Sequence, residues 1–168
     1  DFYKGSDIAL EGFSAFSRRV PGARLVLMGW GENREAYLSR LKAYDAADKV
    51  ILLPIAGKKR LIQYLRAADC LLDQFILGYY GATGLEAMAC GLPVVMRLER
   101  EQYDGMCLTG APPVLNASTA GEICASLLKL EGDSRQRKAI ASAHREWFLA
   151  NHGSARWKQI YSDMLLAT

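Results

Sequence analysis

Tyr79-Tyr80-Gly81-Ala82-Thr83-Gly84-Leu85-Glu86-Ala87-Met88-Ala89-Cys90-Gly91-Leu92-Pro93-Val94-Val95 is the stretch on which the fold turns. Small residues at its start leave backbone amides uncovered, and a short helix from about Thr83 to Cys90 follows, carrying a single acid, Glu86. Gly91-Leu92-Pro93 then turns the chain into an apolar strand, Pro93 to Leu98. A helix that begins on open amides beside the ends of strands is the layout of a pocket for a phosphorylated ligand.

Upstream of that stretch, strand-sized apolar runs alternate with helical spacing. Ile8 and then Leu10, Phe13, Phe16 and Val20, the last four at three- and four-residue steps, predict an amphipathic helix capped by Ser6 or Asp7 and ended by Pro21-Gly22. Ala23 to Met28 and Lys49 to Pro54 are continuous apolar runs that suit strands covered on both faces. A helix with Tyr37, Leu38, Leu41 and Tyr44 on its inner side is expected from Glu32 to Asp45. Another, with Leu61, Tyr64 and Leu65, is expected from Gly57 to Ala68. Cys70 to Phe75 is the third strand, and the loop Ile76 to Ala82 leads to the quoted helix.

Downstream, Glu99 to Gly110 is polar and holds two glycines, which predicts a long surface loop. A short strand at Pro113 to Ala117 precedes three closing helices, at about Thr119 to Leu130, Ser134 to Asn151 and Ser154 to Leu166. Strands alternating with helices at this spacing imply βαβ units: an α/β, Rossmann-like parallel sheet with helices on both faces, in one domain spanning 1–168. Ligands of such sheets bind at the carboxyl ends of the strands, so the loops after Met28, Pro54, Phe75 and Leu98 are the candidate sites.

The 168 residues are 51% apolar, enough for a full core, and carry a net charge of only +3 with Lys and Arg scattered. A nucleic-acid footprint is absent from that pattern. Cys70, Cys90, Cys107 and Cys124 lie far apart without a C-x-x-C pair, which fits reduced thiols of a cytosolic protein, disulfides being the alternative. No apolar run approaches the ~20 residues of a transmembrane helix, and no signal-peptide pattern opens the chain. The start at Asp1 without a Met, almost directly in a helical pattern, leads us to expect a piece of a longer protein.

Several residue types could carry chemistry, each with a plainer alternative. Gly81-Ala82-Thr83 would let a diphosphate approach the helix start, Thr83 adding a hydroxyl or a cap; an ordinary capped core helix would look the same. Glu86, one turn into an apolar helix, suits either a ribose diol or a structural ion pair. Lys4, before Gly5 and a helix start, could meet the same phosphates or stand in solvent. Gly29-Trp30-Gly31 lacks the third glycine of a dinucleotide fingerprint and is a strand exit. His144 and His152 have no partners at metal spacing. Asp73 could reach the pocket floor or satisfy backbone amides, and Glu99, Glu101 and Asp104 are expected to be solvated loop charges.

Taken together, Lys4-Gly5, Leu25 to Gly31, Val50 to Pro54, Arg66-Ala67-Ala68-Asp69 and above all Tyr80-Gly81 with Leu85 to Val95 resemble the C-terminal domain of group 1 glycosyltransferases, retaining enzymes of the GT-B fold. The resemblance runs from Lys4 to about Thr168. It implies one half of a GT-B protein, with the nucleotide-sugar donor held here and the acceptor domain, together with this domain's first strand, outside the 168 residues. It further implies diphosphate contacts at Lys4, Gly81, Ala82 and Thr83, ribose contacts at Glu86, and a base pocket at Pro54 and Ile55. Metal or another cofactor is not expected, because Lys and amides stabilise the leaving diphosphate.

The family pairs the Glu86 acid with a second acid eight residues earlier that contacts the transferred sugar; here that position is Gly78. Tyr79 or Asp73 is left to replace it in part, or the donor differs. The expected partners are thus a nucleotide sugar and, through the absent domain, an acceptor glycan, lipid or small molecule, with neither nucleic acid nor a transmembrane segment. The expected place is the cytoplasm, with a peripheral position at the inner membrane face open to the full-length protein. Two other functions fit the same residues: a non-catalytic nucleotide- or protein-binding domain, and a nucleotide-sugar epimerase.

Overall fold

The structure, a computed structural model, describes residues 4–28, 35, 39, 42–44, 46–103 and 105–166. Its elements are α1 (Ser6–Arg19), β1 (Leu25–Met28), β2 (Val50–Leu53), α2 (Lys58–Ala67), β3 (Leu71–Leu72), α3 (Ala82–Ala89), β4 (Val94–Met96), β5 (Leu115–Asn116), α4 (Ala120–Gly132), α5 (Ser134–His152) and α6 (Ser154–Leu166). The exit Gly29-Trp30-Gly31 and most of the helix expected from Glu32 to Asp45 lie outside the described residues.

The described strands pair in parallel, as the alternation of strands and helices requires. They form two sheets, β1 with β2 and β3-β4-β5. Leu25 pairs with Val50 and Met28 with Leu53; Leu71 pairs with Val94, and Val95 with Leu115. Beyond the last ladder bond, the Asn116 side chain continues the β4–β5 seam, accepting from the Leu98 amide and donating to the Leu98 carbonyl, both at 2.9 Å.

β4 is the strand around which the core is built, because its side chains alternate between the two faces of the sheet. Val94 and Met96 enter one cluster with Leu65 of α2, Ala87 and Met88 of α3 and Trp147 of α5. Val95 points the other way, into a cluster with Phe13 and Phe16 of α1 and Ile123 and Leu127 of α4. Helices therefore cover both faces.

Gly12 permits the close approach of α1 to α4: a Cβ there would lie 2.7 Å from Ile123 Cβ. α4 starts on a capping box in which the Thr119 hydroxyl accepts from the Glu122 amide and Glu122 accepts from the Thr119 amide.

Two expectations are corrected. α1 is capped by Gly5 in the left-handed conformation (φ 66°), and Ser6 and Asp7 lie inside its first turn. Among the described residues β1 and β2 are not covered on both faces, since Val26 is 49% and Ile51 45% exposed. An unbroken apolar run marks a strand without saying which faces receive a covering layer.

Candidate functional site: the start of helix α3

The carboxyl ends of β2, β3 and β4 lead into Pro54-Ile55, Asp73 and Arg97-Leu98-Glu99 respectively. α3 begins one residue earlier than expected, at Ala82 with Gly81 as N-cap, so Thr83 is already helical. The cap makes no side-chain hydrogen bond, and Leu85 donates back to the Gly81 carbonyl at 3.2 Å. A Cβ on Gly81 would meet nothing within 4 Å, so open space lies beside the cap residue of the helix.

Lys4 is brought to this helix start by backbone and by charge. Phe75 donates its amide to the Lys4 carbonyl at 2.8 Å, and Gly5 fits so closely that a Cβ would lie 3.1 Å from Ile76 Cγ1 and 3.2 Å from Phe75 Cβ. With its positive φ as well, the position favours glycine twice over. The Lys4 ammonium lies 3.7 Å from Asp73 Oδ1, and the Asp73 side chain is only 3% exposed.

Burial pushes the Asp73 carboxyl above its ordinary pKa, against the opposing pull of Lys4 and of the Gly81 amide. Its Oδ2 is buried without a hydrogen-bond partner, and Gly84 leaves it room, since a Cβ there would stand 2.8 Å away. Asp73 is thus the point on which Lys4 and the start of α3 converge. Of the two roles the sequence left open for Asp73, reaching the pocket floor or satisfying backbone amides, the second is seen in its bond from the Gly81 amide.

Glu86, one turn along α3, forms an ion pair through Oε1 with Lys58 of α2, while its Oε2 is buried without a partner. Lys58 was not singled out from the sequence. As an exposed lysine it makes a screened and easily displaced partner. The other expected positions are placed as follows. Ile55 is 75% exposed and Pro54 is exposed too, both just past the end of β2. Tyr79 is half exposed.

Gly78 turns left-handed at φ 73°, and the space over its Cα is filled by Glu99, whose Cδ would lie 2.8 Å from a Cβ there. Glu99 is therefore not a freely solvated loop charge: Arg97 Nη2 donates to Oε1 at 2.6 Å, and Gln102 donates to Oε2.

The loop ahead of α3 is braced by an aromatic cluster that sequence reasoning missed. The Tyr80 amide donates to Tyr103 Oη at 3.0 Å, the two rings stack at 5.1 Å, and Trp147 meets Tyr80 edge-on at 5.6 Å. Tyr80 Oη also lies 3.2 Å from His152 Nε2. His144 is fully buried, its Nδ1 3.1 Å from the Leu92 carbonyl and its Nε2 3.0 Å from that of Pro113, and burial lowers its pKa. Both histidines hold structure together. All four cysteines are free thiols, and burial pushes Cys70 up to about 12. Among the described residues no helix is long and apolar enough to cross a membrane.

Residues 1–147 match the family model described as glycosyl transferases group 1. The mannosylfructose-phosphate synthase of Agrobacterium fabrum is 33% identical over 103 residues, covering 56% of this chain and 23% of its own. The D-inositol 3-phosphate glycosyltransferase of Acidothermus cellulolyticus is 31% identical over 158 residues, covering 84% of this chain and 35% of its own. The chain thus spans between about a quarter and a third of those relatives. Among solved structures, Anabaena Alr3699/HepE in complex with UDP-glucose superposes with a TM-score of 0.78 at 17% identity, over all of this chain and 46% of that one. The parallel strands and flanking helices match GT-B glycosyltransferase domains.

Proposed function

The chain belongs to the group 1 glycosyl transferases, and from that premise we propose that it is the donor-binding domain of a retaining glycosyltransferase. The observation that carries the proposal is the meeting of Lys4 and the Gly81 amide on the Asp73 carboxylate at the carboxyl end of β3, where Ala82 and Thr83 open helix α3. A cation and a helix start meeting at one point suit a diphosphate. The fold shared with a protein solved with UDP-glucose bound supports the same ligand class.

In this proposal the sugar passes from the nucleoside diphosphate to an acceptor hydroxyl with its anomeric configuration kept, through an oxocarbenium-like transition state. Charge grows on the departing diphosphate as that bond breaks, and Lys4 and the helix amides are positioned to stabilise it without a metal. Glu86 takes the ribose hydroxyls, its unspent Oε2 being an acceptor in want of a donor. Pro54 and Ile55 offer apolar surface to the base, and positions 78 and 79 face the transferred sugar. The acceptor is met outside this chain.

Calorimetric titration of the chain with UDP, GDP and ADP tests this. One of them should bind, and Glu86→Ala should weaken it about tenfold, the scale of hydrogen bonds to a charged group. Equal affinity in the variant, or no binding by the wild type, would count against the proposal. A second reading, a GT-B domain that binds without catalysis, is motivated by Gly78. Sugar transfer by the intact protein carrying this chain would eliminate it.

A further inference from the structure

Gly78 lacks the side chain that would face the sugar, yet the space of that side chain is not empty. A Cβ on Gly78 would lie 2.8 Å from Glu99 Cδ, 2.9 Å from Cγ and 3.0 Å from Oε1, so the Glu99 carboxylate stands where a residue-78 side chain would be. The two segments are also tied by backbone, the Glu99 amide donating to the Gly78 carbonyl at 2.8 Å.

The carboxylate is held in place from both sides. Arg97 donates through Nη2 to Oε1 and through Nη1 to the Ile76 carbonyl at 2.8 Å, clamping Glu99 and the loop together, while Gln102 donates to Oε2. Each oxygen has one protein donor of the roughly two it can accept, and the side chain is 39% exposed. Spare acceptor sites therefore face solvent.

The two groups left from the sequence as substitutes fit less well. Asp73 is buried beneath α3 and engaged with Lys4, and Tyr79 brings no carboxylate. Gly78 lies three residues before the N-cap Gly81, a separation of at most roughly 10 Å, so a sugar attached to a diphosphate at Gly81 comes within reach.

We infer that Glu99 is the donor-specificity residue: its carboxylate, fixed by Arg97 and Gln102 in the space over Gly78, accepts hydrogen bonds from hydroxyls of the transferred sugar. This rests on the nucleotide-sugar proposal above. The sugar's affinity then arises from a residue 21 positions downstream of the one it replaces.

Paired titrations of the chain with UDP and UDP-glucose, and with GDP and GDP-mannose, separate the two ideas, using wild type, Glu99→Gln, Glu99→Ala and Glu86→Ala. Glu99→Gln and Glu99→Ala should weaken the nucleotide sugar about tenfold while leaving the bare nucleotide unchanged. Glu86→Ala should weaken both. The assignment to Glu99 is overturned if both Glu99 variants bind the sugar nucleotide like wild type, or lose the bare nucleotide equally. If the wild type binds none of the four, the donor-site proposal itself fails and this inference with it. Thermal melts of both Glu99 variants should match the wild type, excluding a folding effect.

Discussion

The Lys4 ammonium stands 3.7 Å from the Oδ1 of Asp73, a pair in which the lysine is 46% exposed and the aspartate nearly sealed beneath helix α3. Removing the lysine leaves a buried carboxylate uncompensated. Lys4→Ala should cost about 1–2 kcal/mol by urea denaturation, below the cost of breaking a fully buried pair because water screens one partner. The same variant should weaken a nucleoside diphosphate at least tenfold.

The raised pKa of Asp73 sets a pH dependence whose sign follows from linkage. Its folded-state pKa lies above the ordinary value of 3.8, chiefly through burial, so the folded chain holds that proton more tightly than the unfolded one. The stability this contributes is full below the ordinary carboxylate pKa and is lost as pH rises through the raised value. Glu122 behaves oppositely, because hydrogen bonds from Ser118 and Thr119 lower its pKa, so its contribution is present above the ordinary value and lost as pH falls through the folded one. Melting points measured from acid to neutral pH should show the advantage of wild type over Asp73→Asn shrinking with rising pH. The advantage over Glu122→Gln should grow.

Lys58 and Glu86 form an ion pair between α2 and α3 whose lysine is largely in water. Such a pair is worth little, and Lys58→Ala should alter stability by no more than about 0.5 kcal/mol. Since a ribose would displace this lysine from Glu86, the variant should bind a nucleoside diphosphate as well as or better than wild type. A loss of affinity as large as that of Glu86→Ala would place Lys58 on the ligand instead.

Gly12 sits mid-helix in α1, where alanine is ordinarily better by about 1 kcal/mol. The added methyl would have to stand 2.7 Å from Ile123 Cγ2 and 3.0 Å from the Ala120 carbonyl. Overpacking costs roughly 1–3 kcal/mol, so Gly12→Ala should destabilise, against the helix-propensity trend. Gly22→Ala, with nothing within 4 Å of its Cβ, is the control that should be near neutral.

His144 joins α5 to the Leu92 and Pro113 carbonyls from a fully buried position. His144→Leu keeps most of the volume but removes the one N–H that the neutral ring can donate to these carbonyls, and should cost about 1–2 kcal/mol. Because burial lowers the folded pKa, the unfolded chain takes up protons first on acidification. Wild type should therefore lose stability relative to the variant as pH falls through the ordinary histidine value of 6.5.

The closing helices were legible to within two residues at their ends, because Thr119 and Asp133 supply capping side chains and the apolar positions keep a helical period. Glu86 was legible as a lone acid in an apolar helix. Its partner Lys58 lies 28 residues away on a polar helix face, where no local pattern distinguishes one lysine from its neighbours. Glu99 was hidden for the same reason: its setting depends on the Gly78 turn brought against the end of β4, a tertiary contact with no period in the chain. Ile51 shows the converse, an apolar residue in a plausible buried run that the fold leaves open on one side.

β4 belongs to both halves of the interior at once, Val94 and Met96 to one and Val95 to the other. Neither half can melt alone without exposing the back of the strand it shares. The two layers should therefore unfold in one step, with the β4 amides the last to exchange with deuterium. The proposed site at the ends of β3 and β4 then rests on the slowest-opening part of the molecule, and a ligand bound there would meet a scaffold that yields only when both layers do.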